Sequence, residues 1–389
     1  MGGLRFDLDA LELFPESDVR RILEATGRSG QRERKLPAYL MVYYTVALGL
    51  LAGVGARDAL RRLLQHRRDR FDLPLASEAA ISKARQRLGW QVLKRLYEEY
   101  VRPIATKRVK GAWYRGRLVV GLDGSTLKVL DTPANVRAFG RPASSRGESV
   151  FAQIRWVGLG EIGTHVLFAA EMAGWRVSEH VLAQKLLRHL HSGMLCLADR
   201  GFYGFDMWER ATRTGADLLW RVQKQIALPR LQKLPDGSYL SEVRPRTTES
   251  KARRAKRIPV RLIAFDVTVG GKREHYRLIT NIMDPNEAPA IDLARLYGRR
   301  WAIETIFDEI KSRMVTGTPM LRSKLPALVR QDFYALLLAH FGVRKLMLEA
   351  ARDQDVEPDE LSFVHALSVV ISRLPEMVSF SPSAQAALP

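Results

Sequence analysis

The chain has 389 residues, 46% of them apolar, and carries 62 Lys and Arg against 42 Asp and Glu, for a formal net charge of +20. That length allows two or three domains with cores of their own, and the charge calls for a polyanionic partner, DNA or RNA ahead of an anionic membrane surface. A single cysteine, Cys196, excludes an internal disulfide and a multi-cysteine zinc site and fits a reducing cytoplasm; no secretory signal is expected from the first residues.

Residues 1–110 read as helices throughout. Ser17 is a candidate cap for a helix running to Ala25 and ended by Gly27, and a basic run follows over residues 28–35. Residues 36–56 hold no charge and are long enough to cross a bilayer. They also hold Pro37, Tyr43, Tyr44, Thr45 and three glycines, and they stand alone, so a buried helix is expected there rather than a membrane span. Next comes an arginine-rich helix over residues 57–70, with Arg61, Arg62, Arg67, Arg68 and Arg70. Ser77 caps the following helix, and residues 82–100 continue it with Lys83, Arg85 and Arg87. Short helices with basic faces suit DNA phosphates, as in a helix-turn-helix variant; the same arginines also fit plain solvated faces.

The period changes after Gly116. Residues 117–122 read as a buried strand ending at Asp123-Gly124. That ending presents a carboxylate beside a residue that allows close approach, or it is an ordinary Asp-Gly turn. A loop over residues 131–149 carries Arg137, Arg141 and Arg146. Strands are expected over 151–159 and 164–173, joined through 160–163, and a helix over 178–190. Residues 194–198 form a short apolar strand, placing Cys196 in the core. It delivers Asp199-Arg200-Gly201 into a helix over 205–213, the place where an α/β fold collects ligands; a helix cap or an ion pair with Arg200 is the simpler role for Asp199. A strand follows over 216–222.

About 70 residues then precede the next helix, where a plain link would need only a few. They hold a turn at Pro235-Asp236-Gly237-Ser238, an Arg/Lys-rich stretch over 244–257 expected to be mobile, and two strands, 258–269 and 274–280, paired across Gly270-Gly271. One long helix is expected over 292–314. Within it Tyr297, Arg300, Glu304 and Lys311 are spaced by three, four and seven, which puts them on one stripe roughly 60° wide. One carboxylate, two cations and a phenol suit a phosphate and a metal ion held together. They also suit a solvated face with an Arg300–Glu304 ion pair. Asp308 shares the face of Glu304. Asp131, Asp206 and Glu309 are expected on the surface, and His165 and His180 as structural histidines. Helices over 325–351 and 361–372 close the chain, linked by the acidic residues 353–360.

The spacing Tyr-x2-Arg-x3-Glu-x6-Lys resembles the signature of the insertion-sequence-four family of DDE transposases. The stretches around Asp123 and Asp199, and the run Ser-Glu-Ala-Ala-Ile-Ser-Lys-Ala-Arg-Gln-Arg-Leu-Gly at residues 77–89, are similar to that family too. The resemblance implies an α/β fold: an RNase H-like catalytic domain with a mixed sheet (111–222 and 284–320), interrupted by a β-rich insertion (223–283). An all-α N-terminal DNA-binding domain (1–110) precedes it and C-terminal helices (321–389) follow. It implies metal-dependent cut-and-paste transposition of an insertion sequence, with hydrolytic nicking at transposon ends and strand transfer by the 3′-OH. Asp123, Asp199 and Glu304 are then the catalytic carboxylates and the ligands of two Mg²⁺ ions, with Mn²⁺ able to substitute. Asp123 bridges both ions, and Tyr297, Arg300 and Lys311 hold DNA phosphate. The implied partners are double-stranded DNA, as terminal inverted repeats and target, and a second copy of the chain; the implied place is the bacterial cytoplasm, at the nucleoid. In relatives the insertion supplies an aromatic for a flipped base; here no Trp lies between Arg221 and Arg300, leaving Tyr239, Phe265 and Tyr276, each equally suited to the core. The rival readings are a DNA-binding protein without catalysis and a structure-specific nuclease on the same fold.

Overall fold

The computed structural model describes residues 14–29, 36–51, 53–63, 76–144, 147–245, 255–269, 272–315 and 320–374. Arg67, Arg68, Arg70 and Arg146, most of the basic run 28–35 and of the 244–257 stretch, and the turn at Gly270-Gly271 lie outside the described residues.

Five helices open the chain: α1 (Glu16–Ala25), α2 (Ala38–Leu50), α3 (Ala56–Leu63), α4 (Glu78–Leu88) and α5 (Trp90–Tyr100). Helix α1 starts one residue before Ser17, after Pro15, whose fixed φ is suited to a helix entry. Ser77 does cap α4, accepting from the Ala80 amide. The continuous helix expected through residue 100 is broken at Gly89, whose φ of +73° turns the chain between α4 and α5. The uncharged α2 is buried nearly all round. It lies against the long C-terminal helix so closely that a Cβ at Gly49 would stand 2.8 Å from the Ala335 carbonyl oxygen. Among the described residues no helix is long and apolar enough to cross a membrane. Arg85 is a correction to the basic-face reading: it is buried, donating to Gln331 at 2.8 Å and to Asp332. Arg57, Arg62, Lys83 and Arg87 do face solvent.

After β1 (Trp113–Tyr114) comes the central strand β2 (Arg117–Val129), then α6 (Pro133–Phe139) and a small hairpin, β3 (Ala143–Ser144) with β4 (Gly147–Glu148). The sheet is completed by β5 (Gln153–Glu161) and β6 (Leu167–Gly174), then α7 (Glu179–Leu186), β7 (Met194–Ala198), α8 (Phe205–Thr212) and β8 (Asp217–Arg221). The order β6-β5-β2-β7-β8 has β5 antiparallel to β2, and β7 and β8 parallel to it, which is the RNase H-like arrangement. Strand β2 does not end at Asp123-Gly124. It runs on to Val129 because Leu127 and Val129 continue the buried alternation, so Asp123 stands mid-strand opposite Gly158. The β5–β6 turn sits two residues later than expected, with His165 at φ +59°.

The inserted strands β9 (Gln232–Lys233), β10 (Tyr239–Val243), β11 (Ile258–Val269) and β12 (Lys272–Thr280) extend the same sheet, since β12 pairs antiparallel with β8. Helix α9 (Ala290–Gly298) and helix α10 (Ala302–Asp308) follow. β13 (Met320–Leu321), α11 (Pro326–Gln354) and α12 (Phe363–Arg373) close the described chain. Cys196 is fully buried in β7, where burial pushes its thiol up to about 12.

Candidate active site

The single helix expected over 292–314 is four segments. Between α9 and α10 lies a 3₁₀ turn, Arg299–Trp301, and after α10 a π turn, Glu309–Arg313. Departures of this kind are uncommon and gather at functional sites. The stripe survives them: Tyr297 faces the end of β7, Arg300 and Lys311 face the middle of β2, and Glu304 pairs with Arg300.

Arg300 is buried and its fork joins two elements: Nη1 donates to Asp123 Oδ2 at 3.1 Å, and Nη2 to Glu304 Oε1 at 2.9 Å. The i,i+4 ion pair of a solvated face is therefore present, but the same guanidinium also reaches a carboxylate 177 residues earlier, which a solvated face does not explain. Tyr297 is buried at the C-terminal end of β7, its hydroxyl 3.5 Å from Asp199 Oδ1. Lys311, on the π turn, donates to Ser125 Oγ at 2.9 Å. Ser125 lies two residues beyond Asp123, hence on the same face of β2. The Asp199 loop is steadied by His180, whose Nε2 is 2.6 Å from the Gly201 carbonyl oxygen.

Burial raises the Asp123 carboxyl to about 6; the Gly124 amide and Arg300 hold it down, while the negative charges of Glu304 and Asp199 push it further up. Asp199 and Glu304 thus both act on Asp123. Burial opposes the Arg300 charge, but Tyr297, Glu304, Asp123 and Asp199 outweigh it and raise the guanidinium above its ordinary value.

Among the described residues no three His, Cys, Asp or Glu side chains are gathered as a metal-ready cluster. Arg300 stands between Asp123 and Glu304 as their counter-ion. The donor set itself is carboxylate oxygen only, half-open to solvent at Glu304, which fits a hard divalent ion that keeps waters and takes substrate phosphate as a further ligand.

The other acids fall away from the centre. Asp308 is exposed and paired with Arg313 at 3.0 Å, Asp131 is paired with Arg141, and Asp206 is exposed. Glu309 corrects the surface expectation: it is buried, bound to Arg344 and His340 from α11. His165 is structural, as expected, with Nδ1 2.7 Å from Arg344 Nη2.

Two participants, Ser125 and Trp301, escaped the sequence reading, and a third, Tyr276, was only one of three aromatics it offered. Ser125 was signalled only by its two-residue offset from Asp123. Trp301 is 58% exposed beside the site, with the Arg300 guanidinium 4.9 Å from its ring centroid. Tyr276, from the insertion, packs edge-on against Tyr297 at 6.3 Å and carries the Arg221 guanidinium 3.7 Å above its ring, so it is a wall of the site rather than isolated core. Phe265 backs it at 5.7 Å, and Tyr239 lies under Arg230 on the far strands.

Two family models match: Insertion element 4 transposase N-terminal over residues 8–98, and Transposase DDE domain over residues 114–341. The chain is 28% identical over 373 residues to "Transposase InsG for insertion sequence element IS4" of Escherichia coli (strain K12), across 94% of this chain and 82% of that one. It also aligns with the cryo-EM structure of the piggyBac transposase synaptic complex with hairpin DNA at a TM-score of 0.48 and 11% identity, covering 98% of this chain and 81% of that one, a likeness too distant to carry weight.

Proposed function

The chain belongs to the DDE transposases of the insertion-element-4 family and is a DNA transposase, and on that premise we propose that Asp123, Asp199 and Glu304 are its catalytic and metal-binding carboxylates. The observation that carries this reading is the Arg300 fork, in which one buried guanidinium bonds both Asp123 of β2 and Glu304 of α10.

The reaction is phosphoryl transfer, first to water at the transposon ends, which frees a 3′-OH, and then from a target-DNA phosphodiester to that 3′-OH, with the target strand's own 3′ oxygen leaving. Asp123, Asp199 and Glu304 would hold the two Mg²⁺ ions of the reaction, for which Mn²⁺ would substitute. When bound, such ions make the nucleophile more acidic and stabilise the leaving oxygen. The chain's own groups position the phosphate. Arg300 offers a planar fork that matches phosphate as well as carboxylate, so a phosphate entering the site gives it a new partner and frees the acids. Lys311 adds a point charge from the side of Ser125, and Tyr297 a hydroxyl beside Asp199. The exposed indole of Trp301 is placed to stack on a base at the cleaved end.

The partner is double-stranded DNA, as terminal inverted repeats and as target, bound in part by exposed arginines of the N-terminal helices. A homodimer in the synaptic complex and action at the bacterial nucleoid in the cytoplasm complete the proposal. So does a division into residues 1–110, 111–222 with 284–320, 223–283 and 321–389. The test is cleavage of a duplex bearing the element's ends in Mg²⁺, with Asp199→Asn beside wild type. Wild-type cleavage, lost in the variant while end binding persists, is expected; cleavage at the wild-type rate by Asp199→Asn would remove that residue from the site.

A further inference from the structure

Glu309 opens the π turn that carries Lys311, and the turn closes on its carbonyl, which accepts from the Met314 amide at 2.9 Å. A π turn is a poor local choice for a backbone, so something outside the helix must hold it. Both carboxylate oxygens of Glu309 are engaged from outside. Oε2 accepts from His340 Nε2 and from Arg344 Nε, each at 2.9 Å, and Oε1 accepts from Arg344 Nη2. Arg344 also donates to His165 Nδ1 at 2.7 Å, which reaches the β5–β6 turn, and His165 in turn places Nε2 3.5 Å from Asp359. Phe363 of α12 covers the group, its ring 5.5 Å from that of His340 and 5.2 Å from the Arg344 guanidinium carbon.

We propose that Glu309, Arg344 and His340 are positioning residues for the transposition chemistry: they lock the register of the π turn and thereby aim Lys311 at Ser125 and at the substrate phosphate. The inference rests on the reading of Lys311 as a phosphate ligand. Apolar side chains would fill the same space but would tolerate a slide of the helix. A forked Arg–carboxylate pair does not, because a shift of one residue leaves a buried charge without its partner. The π turn is thus held at both sides, by Glu309 on α11 and by Lys311 on β2.

The experiment uses the full chain and a duplex bearing the element's ends, with single-turnover cleavage in Mg²⁺ at saturating protein. Glu309→Gln and Arg344→Lys should each slow cleavage by about tenfold, while end binding by gel shift is unchanged. In a Lys311→Ala background the same substitutions should change the rate by less than about twofold, because the group they act through is gone. Equal factors in both backgrounds would overturn the proposal and leave the cluster as a stability element. Should Glu309→Gln fail to fold, Arg344→Lys keeps the charge and carries the test. A second reading is amide exchange in the DNA-free protein: faster exchange in Arg344→Lys confined to residues 309–315 is expected, and a uniform rise across the core would contradict it. Absence of cleavage by wild type would count against the proposed function, while the exchange pattern would still decide the lock.

Discussion

Arg300 donates from Nη1 to Asp123 Oδ2 at 3.1 Å and so stands where a cation is needed among three acids. Its two charge-assisted bonds, each worth about 1.5–3 kcal/mol, must be exchanged when a divalent ion loads. In DNA-free protein at a pH well above 6, Arg300→Ala should therefore bind Mn²⁺ about tenfold more tightly than wild type, a difference of about 1.4 kcal/mol. Titration calorimetry reads this without any cleavage. Equal or weaker binding by the variant would show that Arg300 is not the resident counter-ion.

The cluster around Glu309 makes the fold sensitive to acid. Burial works to raise the Glu309 carboxyl, but nearby His165, the bond from His340 and the charge of Arg344 outweigh it and hold it well below its ordinary value of 4.5. Burial, ahead of the opposing pull of Glu309, keeps His340 below the ordinary 6.5 of an imidazole. Both folded values lie below the unfolded ones. The stability they contribute is complete above those ordinary values and is lost as pH falls through them. The thermal midpoint should drop between pH 6.5 and pH 4.5 in wild type, and less steeply in His340→Gln. Identical slopes would mean that His340 takes up no proton on unfolding.

Arg261 ties the insertion to the helix that bears Tyr297. It is fully buried, donates to the Ala288 carbonyl at 2.7 Å and to Ser238 Oγ at 2.8 Å, and pairs with Asp236. Asp236 also accepts from the Ala290 amide at 2.8 Å, at the start of α9. Arg261→Met strands Asp236 and should destabilise the fold by about 3 kcal/mol, read from denaturant midpoints. A change below about 1 kcal/mol would show that the insertion docks without this pair.

The strand–acid junction at Asp199, the β2 strand and the Tyr297–Lys311 stripe were all legible, because each is written in local periodicity and spacing. What was not legible depends on partners far along the chain. The signature helix looks uniform, but its 3₁₀ turn holds Arg300, which reaches β2, and its π turn opens at Glu309, which reaches α11. Gln331, His340 and Arg344 interrupt the otherwise apolar buried face of α11, and those interruptions were the available sign that something polar is buried against it. Asp123-Gly124 read as a strand end because Asp-Gly pairs usually turn; here Gly124 instead makes room for Glu179, whose Cδ would be 2.8 Å from a Cβ at that position. The insertion was recognised as β-rich, but its edge pairing with β8 follows from the sheet and not from its own sequence.

The most direct measurement is Mg²⁺-dependent cleavage of the element's ends by wild type, Glu304→Gln and Asp308→Asn side by side, with end binding checked for each. Cleavage by wild type and Asp308→Asn, and none by Glu304→Gln despite intact binding, is the expected result. Cleavage by Glu304→Gln with loss in Asp308→Asn would move the third carboxylate four residues along the helix and contradict the site assigned here.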